Sequence, residues 1–106
     1  MTSGGIRFKR GSLYTIGVEI EFQVLDRNTL LLVPLAPKLQ AAAPRILRER
    51  ISQELIKSIL EIQTGVCRNL RDVENDLLQT VSLAEELAED NGCLLYRETS
   101  GDFTAA

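Results

Sequence analysis

The sequence predicts an α+β fold: an antiparallel sheet covered on one face by a long helix. Three observations predict it. Tyr14, Ile16, Val18, Ile20, Phe22 and Val24 recur at every second position, the period of a half-buried strand. Leu60, Ile62, Thr64 and Val66 alternate again with Glu61, Gln63 and Gly65. Between Asn69 and Gly92 the period changes, and Leu70, Val73, Leu77, Val81, Ala84, Leu87 and Ala88 form one helical stripe. A striped helix needs a sheet face to cover, and the apolar sides of the strands supply it.

Taken in order, residues 1–11 are polar and glycine-bearing and read as a flexible lead-in. Residues 12–98 then read as one α+β domain and 99–106 as an irregular tail. Strand one is expected over about 12–25. Asp26-Arg27-Asn28 supplies turn residues, and Thr29 to Val33 is expected to return as a short strand, ended by Pro34 and Pro37. Lys38 to Ala43 suits a short helical turn that Pro44 stops. Gln53 to Leu60 has helical propensity, but the alternation and the Ile/Thr/Val content of 57–67 argue for a strand there. Asn69 is placed to cap the long helix, with Asp72 at its third position as in a capping box. Asn91-Gly92 supplies a left-handed stop, and Cys93 to Tyr96 reads as the last strand.

Composition bounds the function classes. The chain has 106 residues, 44% hydrophobic and 25% charged, which suits one small globular domain. A formal net charge of −3 leaves no electrostatic footprint for nucleic acid. Arg45, Arg48 and Arg50 cluster, but Glu49 and Glu54 dilute them into a solvated edge. With no histidine, neither a Ser-His-Asp triad nor a Cys-His dyad can be built within the chain. Cys67 and Cys93 have no metal-ligand spacing and read as reduced core thiols. The longest mostly apolar run, Leu30 to Ala36, is broken by Pro34 and is too short to span a bilayer. No secretory signal is visible, so the expected location is cytoplasmic and no membrane partner is expected.

The strand faces carry the chemistry. If the apolar set of strand one packs on the core, Glu19 and Glu21 lie on the other face, about 7 Å apart along the strand. Glu61 falls on the polar face of its own strand by the same parity. Carboxylates held on a rigid strand are the donors that a hard cation takes.

The wider pattern has a family resemblance. Thr15-Ile16-Gly17-Val18-Glu19-Ile20-Glu21-Phe22-Gln23, followed by Leu32-Val33-Pro34, resembles the opening of carboxylate–amine ligases of the glutamate–cysteine ligase type-two family. Glu54-Leu55, Ser58 and Leu60-Glu61-Ile62-Gln63-Thr64-Gly65-Val66-Cys67-Arg68 resemble a second block of that family. The resemblance spans about 12–98, the first part of a full-length member. It implies a fold similar to glutamine synthetase, with a curved antiparallel sheet holding ATP, Mg2+ and substrates. It implies ATP-dependent joining of an amino-acid carboxylate to an amine through an acyl phosphate. By match to the motifs, Glu19, Glu21 and Glu61 correspond to magnesium ligands, and Glu54 to a further acid of the site.

The family pattern continues with Gly-Thr-His-Pro-Phe, where this sequence reads Thr99-Ser100-Gly101-Asp102-Phe103. The remaining strands and the basic phosphate ligands of a full-length member have no counterpart here. The expectation is an N-terminal ligase portion, inactive alone. The alternative is a non-catalytic module that self-associates as a homo-oligomer through exposed sheet edges.

Overall fold

A computed structural model describes residues 6–10, 15–52 and 54–97, with Arg7 to Arg10 described as backbone only. The elements run β1 (Ile6–Arg10), β2 (Ile16–Asp26), α1 (Ala36–Ala42), α2 (Arg45–Arg48), β3 (Ile51–Ser52), β4 (Ile59–Gln63), α3 (Leu70–Asp90) and β5 (Cys93–Tyr96). The strands form one five-stranded sheet in the order β1-β2-β4-β3, with β5 also paired to β2. All pairings are antiparallel.

β2 is the centre of this sheet. Glu19 is in register with Arg7 of β1 and with Gln63 of β4, and Gln23 with Ile59 of β4 and Tyr96 of β5. A strand residue has one partner on each side. β4 therefore occupies one edge of β2, and β1 and β5 follow one another along the opposite edge. The alternation expected for this segment holds: Val18, Ile20, Phe22 and Val24 are buried on the helix side, beside Leu60 and Ile62 of β4.

The three helices cover that apolar side, with α3 packed on β2 and β5 and both short helices against α3. Val73, Ala84, Leu87 and Ala88 of α3 enter the core with Leu39 of α1 and Leu47 of α2. Leu70, at the helix start, is 66% exposed and falls outside the stripe. The cap forms as the sequence indicates: Asn69 Oδ1 accepts from the Asp72 N–H at 2.9 Å. Gly92 closes the helix at φ 73°, where a Cβ is disfavoured. Among the described residues no helix is long and apolar enough to cross a membrane.

Several elements differ from expectation. Ile6–Arg10 lie within the expected lead-in yet form a strand on β2. Their alternation is short and strongly basic, which masks the strand period. Residues 1–5, 11–14, 53 and 98–106 lie outside the described residues, and with them Tyr14, Gln53 and the Thr99–Phe103 stretch. The expected return strand Thr29–Val33 reduces to one bridge, Leu25 to Leu32. Asp26 Oδ1 takes the N–H groups of Asn28 and Thr29, and Leu30 adopts φ 61°. That tight turn uses up the first residues, and Pro34 has no N–H with which to continue a ladder.

Pro37 opens a helix rather than only ending a strand, because proline suits the first helical turn. The helical propensity of Gln53 to Leu60 is overridden: β4 begins at Ile59, where Phe22 and Ile20 offer Leu60 and Ile62 a core. Asp76 anchors the far end of β4. Its carboxylate pairs with Arg50 Nη2 at 3.4 Å and accepts from the Thr80 hydroxyl at 3.0 Å and the Gly65 N–H at 3.4 Å. A Cβ on Gly65 would strike the Arg50 guanidinium.

Face assignment gives a direct check. Ile20→Asp places an unpaired charge in the core and is expected to cost several kcal/mol, enough to unfold a domain of ordinary stability. Glu21→Gln is expected to leave the fold intact. Chemical denaturation monitored by circular dichroism distinguishes them; equal midpoints for the two variants would reverse the faces.

Candidate functional site

The side of the sheet away from α3 gathers the acids. Glu21 of β2 and Glu61 of β4 are direct cross-strand partners, and Ser52 of β3 is the next residue in the same row. Antiparallel partners project on one face, so these side chains share it. Glu19 sits two residues along β2, in the row of Gln63. Leu60 and Ile62 fix the direction of Glu61: burying both on the core side leaves Glu61 no other face.

Glu54 arrives from a different element. It follows β3 in the loop that leads to β4. That loop is held by the Val24 N–H on the Ser58 carbonyl at 2.8 Å and the Ala36 N–H on the Lys57 carbonyl at 2.9 Å. The result is a three-carboxylate group: one oxygen each from Glu21, Glu54 and Glu61 lie within 4.8 Å of one another. Glu19 is not a member of that group, but its charge acts on Glu61.

This face is less open than expected for a polar sheet surface. Glu19 is 8% exposed and Glu61 9% exposed. The reason is the central position of β2, which has strands along both edges. Burial, first, and then the charges of Glu19, Glu54 and Glu21 with a hydrogen bond from Glu54 push Glu61 up from 4.5 to about 7. Such a concentration of negative charge at short range favours either a bound proton or a bound cation.

Sequence periodicity indicated Glu19, Glu21 and Glu61, and these do share a face. It could not place Glu54, which belongs to no strand and has no period; only the motif match pointed to it. Lys57 lines a depression beside Glu54 and was not singled out from sequence. Its neighbourhood is set by the loop path, which leaves no trace in local pattern. The two thiols are buried, uncombined and raised above their ordinary range chiefly by burial, as core cysteines are.

The model of glutamate–cysteine ligase family 2 matches residues 15–98. The chain belongs to that family. Among curated relatives, a protein of Rubrobacter xylanophilus provisionally named glutamate–cysteine ligase 2-1 is 42% identical over 73 residues, covering 68% of this chain and 19% of the relative. One from Mycobacterium avium, provisionally named glutamate–cysteine ligase 2, is 33% identical over 96 residues, 86% of this chain and 24% of its own length. A Bdellovibrio bacteriovorus protein of the same name is 30% identical over 90 residues, 85% of this chain and 24% of its own. The chain thus spans about a fifth to a quarter of these relatives. Within this glutamate–cysteine ligase family segment lie both acidic strands and the loop that carries Glu54.

The raised Glu61 makes a signed prediction. Its folded-state value lies above its unfolded one, so the folded state binds the proton more tightly, and stability falls as pH rises from about 4.5 to about 7. In chelator, to exclude divalent cations, denaturation between pH 5 and 8 is expected to show this loss. Glu61→Gln is expected to flatten the slope and to exceed the wild type in stability at pH 8. A variant and wild type with parallel profiles would show that Glu61 is not the titrating group.

Proposed function

We propose that this chain is the cation-binding N-terminal part of an ATP-dependent carboxylate–amine ligase, with a sheet similar to that of glutamine synthetase. The observation that carries this is the Glu21–Glu61 pair. Like charges directly opposite in a sheet are destabilising, yet this pair occupies the centre of the sheet, and Glu54 adds a third carboxylate to it. Nothing in the packing requires acids there; Gln or Thr would satisfy the pleat better. A hard divalent ion would repay the repulsion.

The donor set fits magnesium. Carboxylate oxygens are the ligands it takes, usually a few with water and substrate phosphate completing the octahedron. Glu21, Glu54 and Glu61 would hold the ion, and Glu19, on the same face, would serve as a further acidic ligand or the ligand of a second ion. When bound, magnesium supplies neutralisation of the phosphate charge that otherwise repels these carboxylates. The chain's own residues orient that charge on a rigid strand and limit water through the low exposure of Glu19 and Glu61.

The reaction served is amide-bond formation. A substrate carboxylate oxygen attacks the γ-phosphorus of ATP, releasing ADP and forming an acyl phosphate. The amine nitrogen then attacks the acyl carbon, phosphate leaves with its electron pair, and the nitrogen loses a proton. An amino acid is the carboxylate donor by family likeness. Groups to bind the leaving phosphate and the amine would come from the portion of the ligase beyond this segment, and the cytoplasm, where ATP is held, is the matching location.

Calorimetric titration with magnesium at pH 8 tests the cation role. Glu21→Gln, Glu54→Gln and Glu61→Gln are each expected to weaken binding on the order of tenfold, since each removes one charged donor. Glu19→Gln is expected to weaken it less. Isotherms identical across wild type and all variants would overturn the assignment.

A further inference from the structure

Beside the acids lies a cavity of about 260 Å³ whose walls include Pro37, Gln40, Ser52, Glu54, Lys57 and Ile59. Glu54 belongs both to this wall and to the three-carboxylate group. The cavity and the cation face are therefore contiguous, joined at one side chain. The cavity's other walls are chemically unlike the acids. Ala36, Pro37, Ile59 and Leu60 contribute apolar surface, and Gln40 a side-chain amide. The Gln40 Nε2 donates to the Ile51 carbonyl at 3.3 Å, which fixes the amide plane and leaves its oxygen as an acceptor.

We infer that this cavity receives the purine base of the nucleoside triphosphate whose phosphates meet the cation at Glu21, Glu54 and Glu61. The inference rests on the function proposed above. Its volume is below that of pockets holding whole drug-sized ligands, but suits one flat ring system. Proline and isoleucine surfaces can cover the faces of a heterocycle, and the Gln40 amide oxygen can accept from an exocyclic amine. Lys57, between cavity and acids, brings an ammonium to the polyphosphate as it passes. The base is thus anchored at one end and the charged tail at the other, with Glu54 marking the junction.

The location also sets an order of dependence. A polyphosphate alone meets several carboxylates and is repelled without a divalent ion. A nucleotide has in addition an apolar contact that owes nothing to charge. ATP is thus expected to bind more tightly than tripolyphosphate, by a margin that the cavity controls and the acids do not.

The test compares dissociation constants of MgATP and magnesium tripolyphosphate on the whole chain, by calorimetry, for wild type, Pro37→Trp, Gln40→Leu and Glu61→Gln. Circular dichroism melting selects folded variants; Pro37 is exposed at the start of α1, so tryptophan can fill the cavity mouth without entering the core. Wild type is expected to favour MgATP by about tenfold or more. Pro37→Trp is expected to bring the two ligands within about twofold, with tripolyphosphate affinity unchanged, and Gln40→Leu to fall between. Tripolyphosphate binding that Glu61→Gln abolishes, with no preference for ATP in wild type, overturns the base subsite alone. A preference for ATP that Pro37→Trp leaves untouched overturns it as well. A preference lost in Pro37→Trp but with both affinities unmoved by Glu61→Gln keeps the subsite and overturns the cation role. No binding of either ligand overturns both.

Discussion

Two carboxylates facing each other across the middle of a sheet are the constraint on which the rest of this chain depends. Glu21 and Glu61 meet in register because β2 and β4 pair antiparallel, and that register is not free to slip. A shift of one residue would turn Ile20, Phe22, Leu60 and Ile62 to the acidic side and drive the glutamates into the core. Burial of those four apolar side chains, each worth about 1.5–3 kcal/mol relative to exposure, outweighs the repulsion between two acids at a partly screened surface. The hydrophobic face therefore holds the charged face in an arrangement that electrostatics alone would not choose.

The supporting structure follows from the same requirement. β2 is long enough, at 11 residues, to carry neighbours on both edges. That flanking lowers the exposure of Glu19 and Glu61, which raises the effect of each charge on the others. The Arg50–Asp76 pair and its bonds to Gly65 and Thr80 hold the end of β4 against α3, away from the acids. This pair lies on the far side of Gly65 from Glu61, so its cation does not neutralise the cluster. Positive charge is kept for fastening the frame, and negative charge is left to accumulate on the sheet.

Legibility from sequence divides along physical lines. Wherever a residue's direction is set by local period, it could be read: the buried set of β2, the parity of Glu61, the cap at Asn69, and the stop at Gly92. Wherever a position is set by a long-range contact, it could not. β1 exists because β2 offers it an unpaired edge, not because Ile6 to Arg10 pattern strongly as a strand. The return from Asp26 forms one bridge instead of a ladder because the turn at Leu30 consumes the residues a strand would need. Glu54 is the sharpest case. It reaches Glu61 through a loop pinned by Ser58 and Lys57 carbonyls, bonds that no window of sequence contains.

The division between pattern and loop also has a functional side. A strand can deliver acids at fixed spacing, but only along its own axis, one row at a time. Closing three oxygens around one point needs a donor from outside that lattice, approaching across the rows. Glu54 meets that need because β3 stops at Ser52, releasing the chain from the pleat two residues before the glutamate. The same release opens the cavity between the loop and α1, since a continued strand would fill that space with its ladder. One early strand ending thus produces both the third carboxylate and the apolar recess next to it. A longer β3 would strengthen the sheet edge and remove the means by which a charged group and a flat apolar one can be held side by side.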